Sequence, residues 1–123
     1  GDVSLSQVLE QALDKHEEMN EGHLLKVEKD IESRIVIQND EKLVSILIDN
    51  VLRNVFSHGN STVNISLNSQ RLEIVNDFEP SMTPEIANRK PYGLEIIERI
   101  AEQCGLKIDY GVSEKLFTFT ISL

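Results

Sequence analysis

The sequence predicts an α/β sandwich of the α+β kind, in which a mixed, largely antiparallel sheet packs on about three helices. Three observations point there. Apolar residues recur at helical spacing in three separated runs, residues 4–19, 41–59 and 93–105. Between and after them, short segments alternate apolar and polar residues in pairs. The chain has 123 residues, 40% of them hydrophobic and none of them Trp, which suits a single domain around one aliphatic core.

The elements follow in order. Leu5, Val8, Leu9, Ala12 and Leu13 share one side of the first helix, which Ser4 or Ser6 caps; His16, further along it, reads as a surface residue. "HLLKVEKD" and "SRIVIQND" read as two short strands. Asn39 or Asp40 caps the second helix, which ends near Gly59. "TVNISLN" and "RLEIVND" alternate around Ser69-Gln70 as a hairpin. "FEPSMTPEIANRKPY" holds all three prolines and no periodicity, so it reads as a loop. "GLEIIERIAEQCG" is the third helix, between Gly93 and Gly105, and "LKIDYGVSEKLFTFTISL" a second hairpin turning between Gly111 and Lys115. Helices thus fall between hairpins, with no repeat, low-complexity stretch or interdomain linker.

The formal net charge of −9 argues against nucleic acid as a partner and against direct membrane contact by this domain. A local pocket with backbone N–H groups and a metal ion can still take a nucleotide. The single cysteine, Cys104, leaves no disulfide and no cysteine zinc site, and reads as an inert helix-packing thiol. No stretch has the length of a bilayer span, and no signal-peptide pattern is present.

The second helix, "LVSILIDNVLRNVFSHGN", carries the chemistry. Leu47, Val51 and Val55 mark its buried stripe, Asn50 and Asn54 sit at that stripe's edge, and His58 lies one turn further on; Asp49 and Arg53 pair on the wet side. An isolated Asn there ordinarily bonds a neighbouring loop backbone. Two at one-turn spacing read as a polar groove, and a carboxamide oxygen is a hard, neutral ligand of the kind Mg²⁺ accepts.

Taken in order, "QNDEKLVSILIDNVLRNVFSH", "LEIVNDFEP" and "YGLEIIERIAEQCGLKI" resemble the N, G1 and G2 boxes of the catalytic, ATP-binding domain of bacterial sensor histidine kinases. That domain has the Bergerat-type fold shared with type II topoisomerases and heat-shock chaperones. The resemblance covers nearly the whole chain, and "VSLSQVLEQAL" looks like the family's first catalytic-domain helix. It implies that ATP and Mg²⁺ are bound, with Asn54 as the metal ligand, Asn50 one turn earlier and His58 near the nucleotide. Asn76 or Asp77 takes the place of the adenine-contacting Asp; strand alternation puts Asn76 on the face of Leu72 and Ile74. Gly93 and Leu94 match the end of G2, where backbone N–H groups at a helix start favour phosphate oxygens. Hydrolytic relatives carry Glu where Asn50 stands. A carboxamide does not take up a proton near neutral pH, which favours phosphoryl transfer to a protein histidine.

The resemblance further implies that residues 1–123 are one excised, monomeric catalytic domain. A dimerisation segment bearing the phosphoacceptor histidine would lie upstream, a response regulator downstream in the relay, and the domain in the cytoplasm below a membrane sensor. The chain departs from the pattern in places. Phe78 and Pro80 replace the G1 glycines, Pro91 replaces the first G2 glycine, Ser57 replaces a basic residue, and residues 80–92 are shorter than the usual ATP lid. Two readings follow: an active kinase domain with a trimmed lid, or a degenerate copy that docks a partner without binding ATP.

Overall fold

Asp40 starts the helix around which the other elements are arranged. In the computed structural model, which describes residues 1–19, 25–59, 61–78 and 94–123, its Oδ1 accepts from the Leu43 N–H at 3.1 Å and caps the helix start. Asn39 takes another role, donating its Nδ2–H to the Cys104 carbonyl at 3.0 Å. The order is β1 (Asp2–Ser4), α1 (Leu5–Met19), β2 (Lys26–Ile31), β3 (Val36–Gln38), α2 (Glu41–His58), β4 (Thr62–Leu67), β5 (Arg71–Asp77), α3 (Leu94–Cys104), β6 (Lys107–Ser113) and β7 (Leu116–Ser122).

The main sheet has five strands in the order β2-β4-β5-β7-β6, antiparallel throughout except for the parallel pair β2–β4. One face is apolar: Val63, Ile65 and Leu67 of β4, Leu72 and Ile74 of β5, and Phe117, Phe119 and Ile121 of β7 are all buried. From α2, Val44, Leu47, Ile48, Val51, Leu52 and Val55 belong to the same core, as do Leu5, Leu9 and Leu13 of α1 and Leu94, Ile97 and Ala101 of α3. At about 1.5–3 kcal/mol for each large aliphatic side chain taken out of water, this shared core holds the layers together. The two-layer sandwich expected from the pattern is the architecture observed.

One local expectation is corrected and two are narrowed. The strands at 26–31 and 36–38 are not hairpin partners: β2 runs parallel to β4, and β3 pairs with β1 in a separate two-stranded sheet. The crossover from β2 to β4 is the stretch that carries α2, as parallel pairing requires a long connection. The last turn falls at Glu114 and Lys115, where Glu114 takes φ +53°, while Gly111 continues β6 opposite Thr118. Ser6 is buried and does not cap; its Oγ donates to the Glu32 carbonyl at 2.7 Å and accepts from the Ile35 N–H at 2.9 Å. The Gln7 N–H approaches Ser4 Oγ instead, at 3.4 Å.

Gly105 closes α3 as expected, at φ +68°. Its N–H bonds the Glu102 carbonyl at 3.1 Å and the Leu106 N–H bonds the Ala101 carbonyl at 2.9 Å, the pairing that satisfies helix-end carbonyls through a left-handed residue. Among the described residues, no helix is long and apolar enough to cross a membrane.

Candidate functional site

The polar groups singled out by the sequence stand on α2 and at the end of β5, and α2 packs against both β5 and α3. Along α2 the residues at 44, 47, 48, 51, 52 and 55 are drawn inward, and the helical period then leaves Asn50 and Asn54 half-buried at the margin. The two carboxamides differ. Asn50 donates its Nδ2–H to the Ile46 carbonyl one turn back, at 2.8 Å, the ordinary way for a polar side chain on a helix to satisfy itself. Asn54 Oδ1 is buried and has no hydrogen-bond partner among the described residues. A buried carbonyl oxygen left unbonded costs about 1–3 kcal/mol, so it marks a place where the fold alone does not complete the chemistry.

The end of β5 separates the two candidates for the adenine contact. Asn76 follows Leu72 and Ile74 on the helix-facing side and is 2% exposed, between Val63 and Phe117 on the adjacent strands. Its Nδ2–H donates to the Asp77 carbonyl at 2.9 Å. Asp77 points to the other face. Its Oδ1 accepts from the Ser61 and Thr62 N–H groups at 2.8 and 2.9 Å, and its Oδ2 accepts from the Ser61 hydroxyl. The carboxylate thus anchors the chain as it enters β4, and residue 76 is the one turned toward α2's layer.

Leu94 opens α3 with its side chain fully buried, so only its backbone N–H is available to a ligand at the helix start. His58 is the last residue of α2; its side chain, like the whole of Gly93 and the segment 80–92, lies outside the described residues. Phe78, at the first G1 glycine position, is buried in the core, and its N–H bonds the Lys115 carbonyl at 3.2 Å. Among the described residues, no three His, Cys, Asp or Glu side chains are placed to hold a metal. A cation here would rely on neutral oxygens and on its own waters and phosphates.

Behind the carboxamides, on the α1 side of α2, stands a cluster that the pattern misplaced. His16 is not a surface residue: it is 3% exposed, stacks on Phe56 with ring centroids 5.9 Å apart, and places Nε2 2.9 Å from Asp49 Oδ1. It continues the stripe of Leu9 and Leu13 at helical spacing, and that continuation was the available signal. Asp49 also accepts from Lys15 at 3.3 Å and from Arg53 at 3.1 Å, the latter being the expected pair. Burial pushes the Asp49 carboxyl up, but hydrogen bonds from His16 and Lys15, with their charge, outweigh it and hold the group below its usual range. The Cys104 thiol is raised by burial and by the nearby Asp40 charge, in keeping with an inert cysteine.

Compared with solved structures, the chain has the fold of sensor histidine kinase catalytic domains. It superposes on the cytoplasmic segment of histidine kinase QseC with a TM-score of 0.80 at 20% identity, covering 99% of this chain and 76% of that one. With the Acinetobacter baumannii histidine kinase AdeS the TM-score is 0.77 at 21% identity, covering 100% of this chain and 66% of that one. With the nucleotide-free catalytic domain of histidine kinase ThkA it is 0.77 at 14% identity, covering 100% of this chain and 93% of that one. No family model matches the sequence. A search of curated proteins finds no match either.

Proposed function

We propose that this chain, with the fold of a sensor histidine kinase catalytic domain, binds Mg·ATP and donates its γ-phosphoryl group to a histidine on a separate dimerisation domain, from which a response regulator is charged. The observation that carries the reading is the buried Oδ1 of Asn54, which has no hydrogen-bond partner among the described residues. It is a hard, neutral oxygen, the ligand type Mg²⁺ takes when phosphates and water supply the rest of its shell, so the residue present fits the ion. Bound there, Mg²⁺ would neutralise charge on the phosphate oxygens.

The other roles belong to the chain itself. Asn76, buried at the end of β5, would contact the nucleobase. The N–H groups that open α3 at Leu94, together with Gly93, would face phosphate oxygens. Asn50 is already bonded to the Ile46 carbonyl and takes up no proton near neutral pH, so it cannot serve as a general base to activate water. That favours transfer to a protein imidazole over hydrolysis.

The test is a calorimetric titration of the domain with Mg²⁺ and a non-hydrolysable ATP analogue, repeated on Asn54→Ala. Saturable, Mg²⁺-dependent binding that weakens at least tenfold in the variant is expected. Equal affinity in the variant would overturn the assignment of Asn54. One observation favours the second reading, a docking module that no longer binds ATP: Phe78 is buried where the motif has a glycine. On that reading the wild-type domain gives no heat at saturating nucleotide, and Phe78→Ala is the variant in which binding returns.

A further inference from the structure

The carboxamide of Asn76 lies in apolar surroundings, with the side chains of Val63, Ile74, Phe78 and Phe117 all buried around the same strand end. A polar group there is costly unless paired. It makes one hydrogen bond, Nδ2–H to the Asp77 carbonyl at 2.9 Å, and no other among the described residues. A carboxamide offers two N–H donors and an oxygen acceptor, so one donor and Oδ1 remain for a ligand. A carboxylate at the same place would offer acceptors only.

We propose that this residue relaxes the choice of nucleobase, so that the domain takes guanine nucleotides in addition to adenine nucleotides; the inference rests on the nucleotide reading above. Adenine presents an amino donor at C6 and guanine an oxo acceptor. An acceptor-only side chain repels the oxo group. The amide answers both, by directing Oδ1 at the amino group or, turned over, Nδ2 at the oxygen. Turning it over gives up the bond to the Asp77 carbonyl. That loss, with Oδ1 left facing the Asp77 carbonyl oxygen, sets the preference for adenine, which comes to about ten- to a hundredfold.

The experiment titrates the domain, in the presence of Mg²⁺, with non-hydrolysable analogues of ATP and of GTP, and follows the Asn76 side-chain amide by NMR. Affinities within about a hundredfold, with the Asn76 resonance moving for both analogues, are expected. Asn76→Asp, in which the side chain only accepts, is expected to widen the ratio beyond about a hundredfold, mainly by losing the GTP analogue. Should a buried charge prevent that variant from folding, the wild-type ratio decides alone. An ATP analogue bound more than a hundredfold tighter than the GTP analogue by the wild type overturns this inference and leaves the nucleotide reading standing. Binding of neither analogue overturns both.

Discussion

Asn54→Ala separates a ligand-binding side chain from a structural one, because the two roles change stability in opposite directions. Oδ1 is buried without a partner among the described residues, at a cost of about 1–3 kcal/mol to the folded state. Truncation removes that oxygen, and Ala at a helix interior adds about 0.5 kcal/mol of propensity over Asn. Against this stands the packing of the carboxamide atoms, which is modest because the residue is half-buried. The unliganded variant is therefore expected to be more stable by about 1–2 kcal/mol, a rise in Tm of about 4–8 °C for a domain of this size. With Mg²⁺ and an ATP analogue at a hundredfold above Kd, the wild type gains about 2.7 kcal/mol by linkage, or roughly 10 °C. That second rise is expected to vanish in the variant. The assay is a pair of thermal melts by circular dichroism, with and without ligand. Unliganded Asn54→Ala melting below the wild type by more than about 1 kcal/mol would refute the reasoning, since Oδ1 would then be serving the fold.

Other substitutions test the surrounding structure. Asp77→Ala removes the acceptor of the Ser61 and Thr62 N–H groups and is expected to cost about 2–4 kcal/mol in chemical denaturation, while Asp77→Asn, which keeps an oxygen acceptor, costs roughly half as much. His16→Ala empties a buried site against Phe56 and strips a partner from Asp49, and is expected to cost about 2–3 kcal/mol. Because the folded Asp49 carboxyl is held below its ordinary value of 3.8, its contribution is fully present above that pH and is lost as the pH falls through the folded value. Asp49→Asn should therefore flatten the acid limb of the stability profile. Gly105→Ala meets no steric contact, so its cost is backbone strain alone, about 1 kcal/mol in urea melts, with no effect on nucleotide affinity.

The sandwich could be read from sequence where a signal was local. The stripe through Leu47, Val51 and Val55, the Asp40 cap, the Ser69-Gln70 hairpin and the Gly105 stop each depend on residues within a turn or two of one another. What escaped was non-local or left no period. Three residues at Val36–Gln38 carry too little alternation to declare that they pair with Asp2–Ser4, and the parallel partner of Lys26–Ile31 lies across an intervening helix. Within the turn expected between Gly111 and Lys115, the obvious breaker Gly111 stays in its strand and Glu114 takes the left-handed position. His16 was misjudged by residue type although its spacing was that of the buried stripe. In the site, periodicity sufficed to put Asn50 and Asn54 on one edge and Asn76 on the inner face of its strand. It could not tell which carboxamide is bonded to its own helix and which is left without a partner, because that depends on distances between atoms.

The most direct test follows the side-chain amide resonances of Asn50 and Asn54 in the isolated domain as an ATP analogue is added, first with Mg²⁺ and then with the metal chelated. Mg²⁺-dependent movement of the Asn54 signal, with Asn50 changing little, is the expected result. An Asn54 resonance that stays fixed at saturating nucleotide and metal would contradict the claim that its orphaned oxygen exists to meet a bound ion.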